Sequence, residues 1–362
     1  MLKFILNGRT VEYNGDPAVS LLSWLRHEMN LTAPKDGCSG QAASGACLVE
    51  VGGKAALACS TPMHKVAGKE VVTLEGWPQS LLRTLGRAFV SKGAVQCGFC
   101  TPGFLTRTKI LLEKNPAPTR QEVVKAMRFH LCRCTGYVKI VDAVLEAAAA
   151  LDEGREVPFE DGAGIGVSSP KYRAFDRAIG RKPFIDDLRF DGMVHGALRF
   201  SDHPRARVLS IDMSKADKAP GVIRIFTAED IPGERNVGPI VQDWPVMIKV
   251  GETTRYIGDV LAGVVADTEA QAREAVKLIH VAYDVLEPLT DMTKAETSPV
   301  KIHADGNLLF AQTIRRGEPV EKVLAGSAHV ARGVLETQMV DHGFLEPESS
   351  VAIPFQDGVQ VY

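Results

Sequence analysis

Apolar and polar residues alternate along the first 75 residues in the pattern of short β-strands. Two strand-like segments, residues 4–6 and 10–13, flank Asn7-Gly8, and this dipeptide between two strands is a strong hairpin signal. Gly52-Gly53 lies between two further strand-like segments in the same way. Between residues 21 and 29, apolar side chains have the spacing of one helix face. The pattern predicts a small mixed sheet with one helix packed on it.

From residue 77 to residue 152 the apolar spacing changes to that of amphipathic helices. Thr119 and Glu122 have the spacing of a capping box, and Pro102 suits the first turn of a helix. The predicted helices cover residues 79–91, 102–113, 120–129 and 139–151. We therefore expect a compact helical bundle as the second domain.

Residues 153–170 are rich in acidic residues and glycine and predict a linker. Within it, residues 162–166 read G-x-G-x-G, which is not the spacing of a dinucleotide-binding loop, and no convincing strand precedes them. We interpret this segment as a flexible connection. Beyond it, strands are predicted at 208–211, 222–226 and 260–265, with a helix at 269–278. An α/β domain is therefore expected after the linker.

The chain has 362 residues and a formal net charge of −2, and 45% of its residues are hydrophobic. This length predicts two or three domains, and the composition is that of soluble globular proteins. The near-zero charge argues against a nucleic-acid-binding protein that works by bulk electrostatics. No apolar stretch approaches the roughly 20 residues needed to cross a bilayer. The N-terminus lacks the pattern of a secretory signal, so we expect a cytoplasmic protein.

All seven cysteines lie within the first 134 residues. In a reducing compartment, clustered cysteines with a C-x2-C pair are more often metal ligands than disulfides. The second group is Cys97, Cys100, Cys132 and Cys134. Four thiolates of this spacing suit zinc or an iron-sulfur cluster. For a [2Fe-2S] cluster we expect the C-x2-C pair on one iron and the C-x-C pair on the other, with the helix near Pro102 pointing backbone amides at the anion.

The first group of cysteines, Cys38, Cys47 and Cys59, lacks one member. Plant-type [2Fe-2S] loops run C-x4-C-x2-C with a distant fourth cysteine, and here the middle cysteine is missing. Counting forward from Cys38 places the missing ligand at Ala43, whereas counting back from Cys47 places it at Ser44. The loop is one residue longer than the usual pattern, with serine in the register counted from its C-terminal side.

Two other polar groups are interpreted as structural. His130 precedes the C-x-C pair, but four cysteines already complete that site, so we expect His130 on a helix face. Glu346 and Glu348 flank a proline near the end of the chain and are expected to be solvated acids in a turn.

Two segments carry a resemblance to a known family. Residues 96–103 read Q-C-G-F-C-T-P-G, and residues 132–137 read C-R-C-T-G-Y. Together they resemble the signatures of the xanthine oxidase family of molybdenum hydroxylases. Segments after the linker resemble the start of the molybdenum-binding part of that family; they are residues 185–187, 220–222, 227–230 and 256–259. No flavin domain intervenes, so the chain is most similar to the N-terminal portion of the flavin-free aldehyde oxidoreductases in this family.

The resemblance implies an α+β multidomain fold with a β-grasp ferredoxin-like domain, a four-helix [2Fe-2S] bundle and an α/β hammerhead-type domain. The implied segments are a plant-ferredoxin-like [2Fe-2S] domain at 1–76, the bundle at 77–152, the linker at 153–170, the hammerhead-like domain at 171–295 and the start of a molybdenum-pterin-binding domain at 296–362. In the family this last part continues far beyond the equivalent point. We therefore expect it to be truncated here, and we expect no catalytic residues in this chain.

The resemblance also implies the site residues. The bundle cluster is expected on Cys97, Cys100, Cys132 and Cys134. Gln96 and Cys134 lie where family members contact the pterin. The outer cluster is expected on Cys38, Cys47, Cys59 and Ser44. Serine binds iron only as a hard alkoxide whose proton is difficult to remove, so three outcomes stay open for the outer cluster: it is absent, labile or shifted in potential.

The implied cofactors are [2Fe-2S] clusters and, in the complete enzyme, a molybdenum-pterin cofactor, with no FAD. The implied function is that of the electron-transfer portion of a molybdenum hydroxylase of the aldehyde oxidoreductase or xanthine dehydrogenase type. Such an enzyme oxidises an aldehyde or an N-heterocycle with water as the oxygen source and passes electrons through its [2Fe-2S] centres.

The implied partners are the remaining molybdenum-binding subunit or region, an external ferredoxin- or flavodoxin-like acceptor, and a second copy in a homodimer. Neither nucleic acid nor a membrane is expected as a partner. Two alternatives stay open from the residues alone. One is a zinc-stapled scaffold without redox activity, and the other is a stand-alone iron-sulfur electron carrier.

Overall fold

A computed structural model describes residues 1–158, 164–167 and 169–362, so residues 162 and 163 of the predicted G-x-G-x-G connection lie outside the described residues. The α-helices are α1 (Leu21–His27), α2 (Gln79–Ser91), α3 (Thr101–Lys114), α4 (Arg120–Met127), α5 (Val138–Asp152), α6 (Ala174–Ala178), α7 (Glu269–Val276) and α8 (Val320–Ala325). The strands are β1 (Leu2–Leu6), β2 (Arg9–Tyr13), β3 (Leu48–Val51), β4 (Lys54–Leu57), β5 (Glu70–Val72), β6 (His195–Phe200), β7 (Ala206–Asp212), β8 (Val222–Phe226), β9 (Asn236–Val237), β10 (Trp244–Pro245), β11 (Val260–Ala266), β12 (His280–Val285), β13 (Ala352–Phe355) and β14 (Gly358–Val361). Among the described residues, no helix is both long and apolar enough to cross a membrane.

The elements form two compact units. One comprises Met1–Leu188 with Glu336–Tyr362, and the other comprises Arg189–Leu335. The first unit contains both groups of cysteines, so the candidate sites lie within it.

The ferredoxin-like domain is built on a five-stranded β-grasp sheet in the order β2-β1-β5-β3-β4. β1 pairs antiparallel with β2 and parallel with β5. The predicted hairpin at Asn7-Gly8 is confirmed, since both residues have positive φ, 48° and 78°. The helix α1 packs on the sheet, where Trp24 meets Phe4 edge-on with ring centroids 5.3 Å apart.

The second predicted hairpin is also confirmed, and it positions two cysteines. Gly52-Gly53 forms the turn with positive φ at both residues, and β3 pairs antiparallel with β4. At the open end, the Ala58 N–H donates to the Cys47 carbonyl at 3.2 Å. Cys47 and Cys59 therefore leave the hairpin at the same end.

The helical bundle is confirmed, because α2, α3, α4 and α5 match the four predicted helices to within two residues at each end. The capping box of Thr119 and Glu122 is formed at the start of α4. The inward faces share one core in which Phe89 and Phe104 are fully buried. Cys100 is the residue directly before α3, so the C-x2-C pair lies at the N-terminus of a long helix.

Residues beyond the linker also contribute to the bundle core. Ala174, Ala178 and Ile179, in and after α6, are buried in it. Phe184 packs edge-on against Phe99, with ring centroids 5.3 Å apart. The stretch up to Leu188 therefore packs with the first unit. The predicted domain boundaries stay predictions, since a compact unit need not coincide with a single domain.

The second unit has the strands and the helix predicted for the α/β domain. The strands predicted at 208–211, 222–226 and 260–265 lie within β7, β8 and β11. β11 lies between β6 and β8, and β12 pairs with β7. The helix α7 ends two residues before the predicted end, and its Ala275 packs in a small core with Ala262 and Val264.

A buried ionic network joins the stretch after α6 to the ferredoxin-like domain. The Lys35 ammonium contacts one carboxylate oxygen of Asp187 at 2.5 Å, and the Arg26 guanidinium contacts the other at 2.8 Å. These side chains are only 0%, 2% and 5% exposed for Lys35, Asp187 and Arg26. Burial lowers the pKa of Lys35, although Asp187 opposes this effect. Burial opposes ionisation of Asp187 as well, but the charge of Lys35 holds the pKa of that carboxyl below its ordinary value.

We expect Asp187→Asn to lower the free energy of unfolding of the first unit by about 3–5 kcal/mol, because the buried Lys35 ammonium then loses its carboxylate and the Arg26 guanidinium keeps only its longer contact with Asp186. Equilibrium urea denaturation followed by circular dichroism measures this loss. Asp142→Asn is the control, since it removes the carboxylate of an exposed pair with Arg120 and is expected to cost less than about 1 kcal/mol. Equal losses in the two variants would contradict a stabilising role for the buried network.

Candidate iron-sulfur sites

The four bundle cysteines come together in two pairs. Each pair contains one cysteine of the C-x2-C segment and one of the C-x-C segment. The Sγ atoms of Cys97 and Cys134 lie 3.6 Å apart, and the Cys100 thiol hydrogen-bonds to Cys132. Which cysteines share an iron stays a prediction, because these are contacts between thiols. Because the two loops face each other, each cysteine of one loop meets a cysteine of the other. Within the described residues, no three His, Cys, Asp or Glu side chains surround a single metal position.

The Cys132 thiol ionises readily. The hydrogen bond from Cys100 lowers the pKa of Cys132 to about 5. The Thr135 hydroxyl and backbone N–H groups act in the same direction, whereas burial opposes them. The Thr135 Oγ1 atom lies 3.1 Å from the Cys132 Sγ atom. The hydrogen bond to Cys132, together with burial, raises the pKa of Cys100, and burial raises the pKa of Cys97 to about 11. Four thiols, with N–H groups already aimed at one sulfur, fit an anionic [2Fe-2S] cluster.

The Tyr137 hydroxyl stabilises the loop that carries Cys132 through two hydrogen bonds. Its hydroxyl accepts a hydrogen bond from the Cys132 N–H at 3.0 Å and donates one to the His130 carbonyl at 3.1 Å. Tyr137 has a φ of 69° and directly precedes α5. These bonds fix the C-x-C segment relative to the helix that follows it.

Gln96 and Cys134, the two predicted pterin contacts, lie on the more exposed side of the bundle site. Cys100 and Cys132 are buried, whereas Cys134 is half-buried and Gln96 is exposed. The backbone carbonyl of Gln96 accepts a hydrogen bond from the Lys171 ammonium at 2.7 Å. The pair of Cys97 and Cys134 is thus the one nearer to solvent.

The structure of the outer loop shows whether Ala43 or Ser44 faces the cysteines. Ala43 is exposed, whereas Ser44 is 1% exposed and its hydroxyl interacts with the Cys38 thiol. Ser44, the residue reached by counting back from Cys47, is therefore the one that faces the site. The additional residue of the loop lies in the exposed turn at 39–43.

Cys47 and Cys59 form the other pair of the outer site. Burial raises the pKa of Cys47 to about 12. The neighbouring Cys59 thiol adds to this effect, whereas a hydrogen bond from the backbone N–H of Cys59 opposes it. Burial also acts to raise the pKa of Cys38, but the Ser44 hydroxyl and the N–H groups of the loop hold it below its ordinary value. The outer site thus has three thiols and one hydroxyl, arranged as two pairs.

The outer loop packs directly against the loop of the bundle site. The Leu131 N–H donates to the Ser44 carbonyl at 2.8 Å. Gly45 has a φ of 71°, and a Cβ built there would lie 2.8 Å from the His130 ring. A Cβ on Gly103 in α3 would lie 2.4 Å from the Gly45 carbonyl oxygen. Only glycine fits at both positions, and the two candidate sites are therefore close neighbours.

His130 is buried in this contact and does not lie on a helix face as expected. The helix α4 ends at Met127, and the His130 ring is 3% exposed and packs on Phe104 with ring centroids 5.1 Å apart. Burial, with a smaller effect of the Arg107 charge, lowers the pKa of His130 to about 4. The expectation was wrong because the residues that cover His130 come from the outer loop, which is distant in sequence.

A segment near the end of the chain lies beside the bundle cysteines. Arg133, between the two cysteines of the C-x-C pair, donates to the backbone carbonyls of Asp341 and His342 at 2.6 and 2.8 Å. Glu346 was expected to be a solvated acid, but it is half-buried, and its charge adds to the effect of burial on the pKa of Cys97. Sequence reasoning missed this segment because nothing in its local pattern indicates contact with the bundle.

Two family models match the chain. A model described as "[2Fe-2S] binding domain" matches residues 73–145, which contain all four bundle cysteines. A model described as "Aldehyde oxidase and xanthine dehydrogenase, a/b hammerhead domain" matches residues 179–287. The nicotine 6-hydroxylase small subunit of Paenarthrobacter nicotinovorans is 42% identical over 39% of this chain and 86% of its own length. The chain belongs to the xanthine oxidase family of molybdenum hydroxylases.

Longer members of this family match nearly the whole chain. The aldehyde oxidoreductase of Megalodesulfovibrio gigas is 31% identical over 99% of this chain and 42% of its own length. The solved structure of the aldehyde oxidoreductase from Desulfovibrio gigas aligns with a TM-score of 0.80 and 32% identity, covering 91% of this chain and 39% of that one. The chain thus spans about two fifths of the length of these relatives.

The family match bears on the predictions made from the sequence. It confirms the predicted family, the α+β multidomain fold and a [2Fe-2S] domain in the bundle. It favours iron and sulfide over zinc as the group that the four bundle thiols bind. The individual ligands stay predictions.

We expect Gly45→Ala to lower the free energy of unfolding of the first unit by about 2–4 kcal/mol, because its Cβ adds an overpacked contact with His130 to the strain of positive φ. Gly40→Ala is the matched control, since φ is 78° there but nothing lies within 4 Å of a Cβ. Backbone strain alone gives a cost of about 1–2 kcal/mol. Urea denaturation of both variants measures the difference, and a cost at Gly45 no larger than at Gly40 would refute the close contact between the two loops.

Proposed function

We propose that this chain is the electron-transfer portion of a molybdenum-dependent hydroxylase of the aldehyde oxidoreductase or xanthine dehydrogenase type. The observation that carries the proposal is the pair of thiol contacts in the bundle, within a [2Fe-2S] binding domain. The whole enzyme oxidises an aldehyde or an N-heterocycle, with water as the oxygen source. The names of two relatives, an aldehyde oxidoreductase and a nicotine 6-hydroxylase, support this range of substrates.

The proposed ligands of the bundle cluster are Cys97, Cys100, Cys132 and Cys134. When bound, a [2Fe-2S] cluster supplies one-electron transfer. The chain itself keeps water away from the inner thiols, since Cys100 and Cys132 are buried. Backbone N–H groups of Cys134 and Thr135 stabilise the negative charge on the Cys132 sulfur.

We assign Gln96 and Cys134 to contacts with the pterin of the molybdenum cofactor in the whole enzyme. Their place on the more exposed side of the bundle site supports this assignment, because a large cofactor can reach them there. We assign no catalytic residue to this chain. A molybdenum-binding subunit or region supplies those residues, and the occurrence of a small-subunit relative supports a partner of this kind.

The outer site is the exit for electrons in this proposal, with Cys38, Cys47, Cys59 and Ser44 as its ligand positions. The exposed turn at 39–43 supports access by an external ferredoxin- or flavodoxin-like acceptor. The seven cysteines are free of disulfides, which supports a cytoplasmic location. The domain boundaries proposed from the sequence separate the outer site, in 1–76, from the bundle site, in 77–152.

The full chain, purified without oxygen, is expected to contain iron and acid-labile sulfide and to give an EPR signal after reduction with dithionite. Cys132→Ala is expected to lose about two irons per chain, because a [2Fe-2S] cluster needs all its ligands. Thr106→Ala is the control: it removes a buried hydroxyl of α3 that bonds only to the Pro102 carbonyl at 3.0 Å, and it is expected to keep its iron. Zinc in place of iron, or full iron content in Cys132→Ala, would overturn the proposal.

A further inference from the structure

The outer site contains one buried polar side chain that a four-thiolate pattern does not explain. Ser44 is 1% exposed, and its hydroxyl lies beside the Cys38 thiol. The Ala46 N–H reaches the Ser44 Oγ atom only at 3.4 Å, which is a long hydrogen bond. A Cβ built on Gly37 would lie 3.0 Å from the same oxygen. The hydroxyl is thus enclosed by the loop without a strong backbone partner.

The loop conformation turns Ser44 inward. Ser39, Gly40 and Ala42 have φ values of 47°, 78° and 57°, and Ala43 remains exposed. A left-handed conformation costs about 1–2 kcal/mol for a residue other than glycine. Two such residues in one short turn indicate a loop whose inner contacts determine its shape. The exposed turn absorbs the additional residue, so the inward position falls on Ser44.

The outer site repeats the two-pair arrangement of the bundle site. Cys47 and Cys59 interact at the open end of the hairpin formed by β3 and β4. Cys38 faces Ser44 on the other side of the loop. The position that faces Cys38 therefore holds an oxygen where each bundle pair has a second sulfur.

We propose that Ser44 is the fourth ligand of an outer [2Fe-2S] cluster, with Cys38 and Ser44 on one iron and Cys47 and Cys59 on the other. This inference rests on the proposed function and specifies its second centre. Ligation breaks the O–H bond of Ser44 and forms an Fe–O bond, and the proton passes to water at the exposed turn. Iron and sulfide are those supplied during cluster assembly.

An oxygen ligand makes the two iron positions unequal. An alkoxide is a harder donor than a thiolate and favours ferric iron. When dithionite supplies one electron, Cys47 and Cys59 therefore hold the ferrous iron, while Cys38 and Ser44 hold the ferric iron. Replacing the oxygen with sulfur is expected to make the outer centre easier to reduce.

The test is iron analysis, EPR and Mössbauer spectroscopy of the full chain. Its clusters are assembled without oxygen from sulfide and the iron isotope that Mössbauer spectroscopy detects. The wild type is expected to hold about four irons, with one outer ferric site distinct from the others. Ser44→Ala is expected to hold about two irons, with the EPR signal of the bundle cluster unchanged. Ser44→Cys is expected to keep about four irons, to make the two outer sites alike and to raise the reduction potential. Ser39→Ala, which removes an exposed hydroxyl from the same loop, is the control and is expected to behave as the wild type.

Two results would overturn the proposal. One is a wild type with about two irons beside a Ser44→Cys variant with about four, because the serine would then leave the outer site empty. The other is a Ser44→Ala variant with full iron and an unchanged Mössbauer spectrum. Loss of the bundle signal from the wild type would instead contradict the proposed function on which this inference rests.

Discussion

The meeting of Cys100 and Cys132 inside the bundle is the contact on which the candidate bundle site depends. Charge on a buried sulfur is costly unless hydrogen bonds compensate it. Here the compensation comes from the facing thiol, the Thr135 hydroxyl and backbone N–H groups, and it suffices to bring the pKa of Cys132 to about 5. The helices α3 and α5 begin shortly after the two cysteine segments, so the bundle core holds both segments in place. The packing that stabilises the bundle core therefore also fixes the arrangement of the thiols.

The contact between the two loops follows from the same arrangement. The hydrogen bond from the Leu131 N–H to the Ser44 carbonyl joins the residue before Cys132 to the outer loop. Gly45 and Gly103 let the backbones approach closely, since a side chain at either position would collide with the other loop or with His130. Close approach of two redox centres is what an electron-transfer chain requires. The glycines of this contact therefore connect local backbone freedom with the proposed function.

Much of the fold could be predicted because it depends on neighbouring residues. The Asn7-Gly8 turn, the Thr119 cap and the four bundle helices each follow from spacing and local conformational preference. The bundle cysteines could be identified in the same way, from their spacing and the sequence around them. Features that depend on distant parts of the chain could not be predicted: the crosswise thiol pairs and the burial of His130. Each of these is decided by which loops meet in three dimensions.

X-ray absorption at the iron edge of a Cys47→Ala variant, in which the outer site is disabled, tests most directly whether the bundle thiols hold a [2Fe-2S] cluster. We predict iron bonded to about four sulfur atoms, with a second iron as a near neighbour. Iron bonded mainly to oxygen or nitrogen, or iron without an iron neighbour, would contradict that claim.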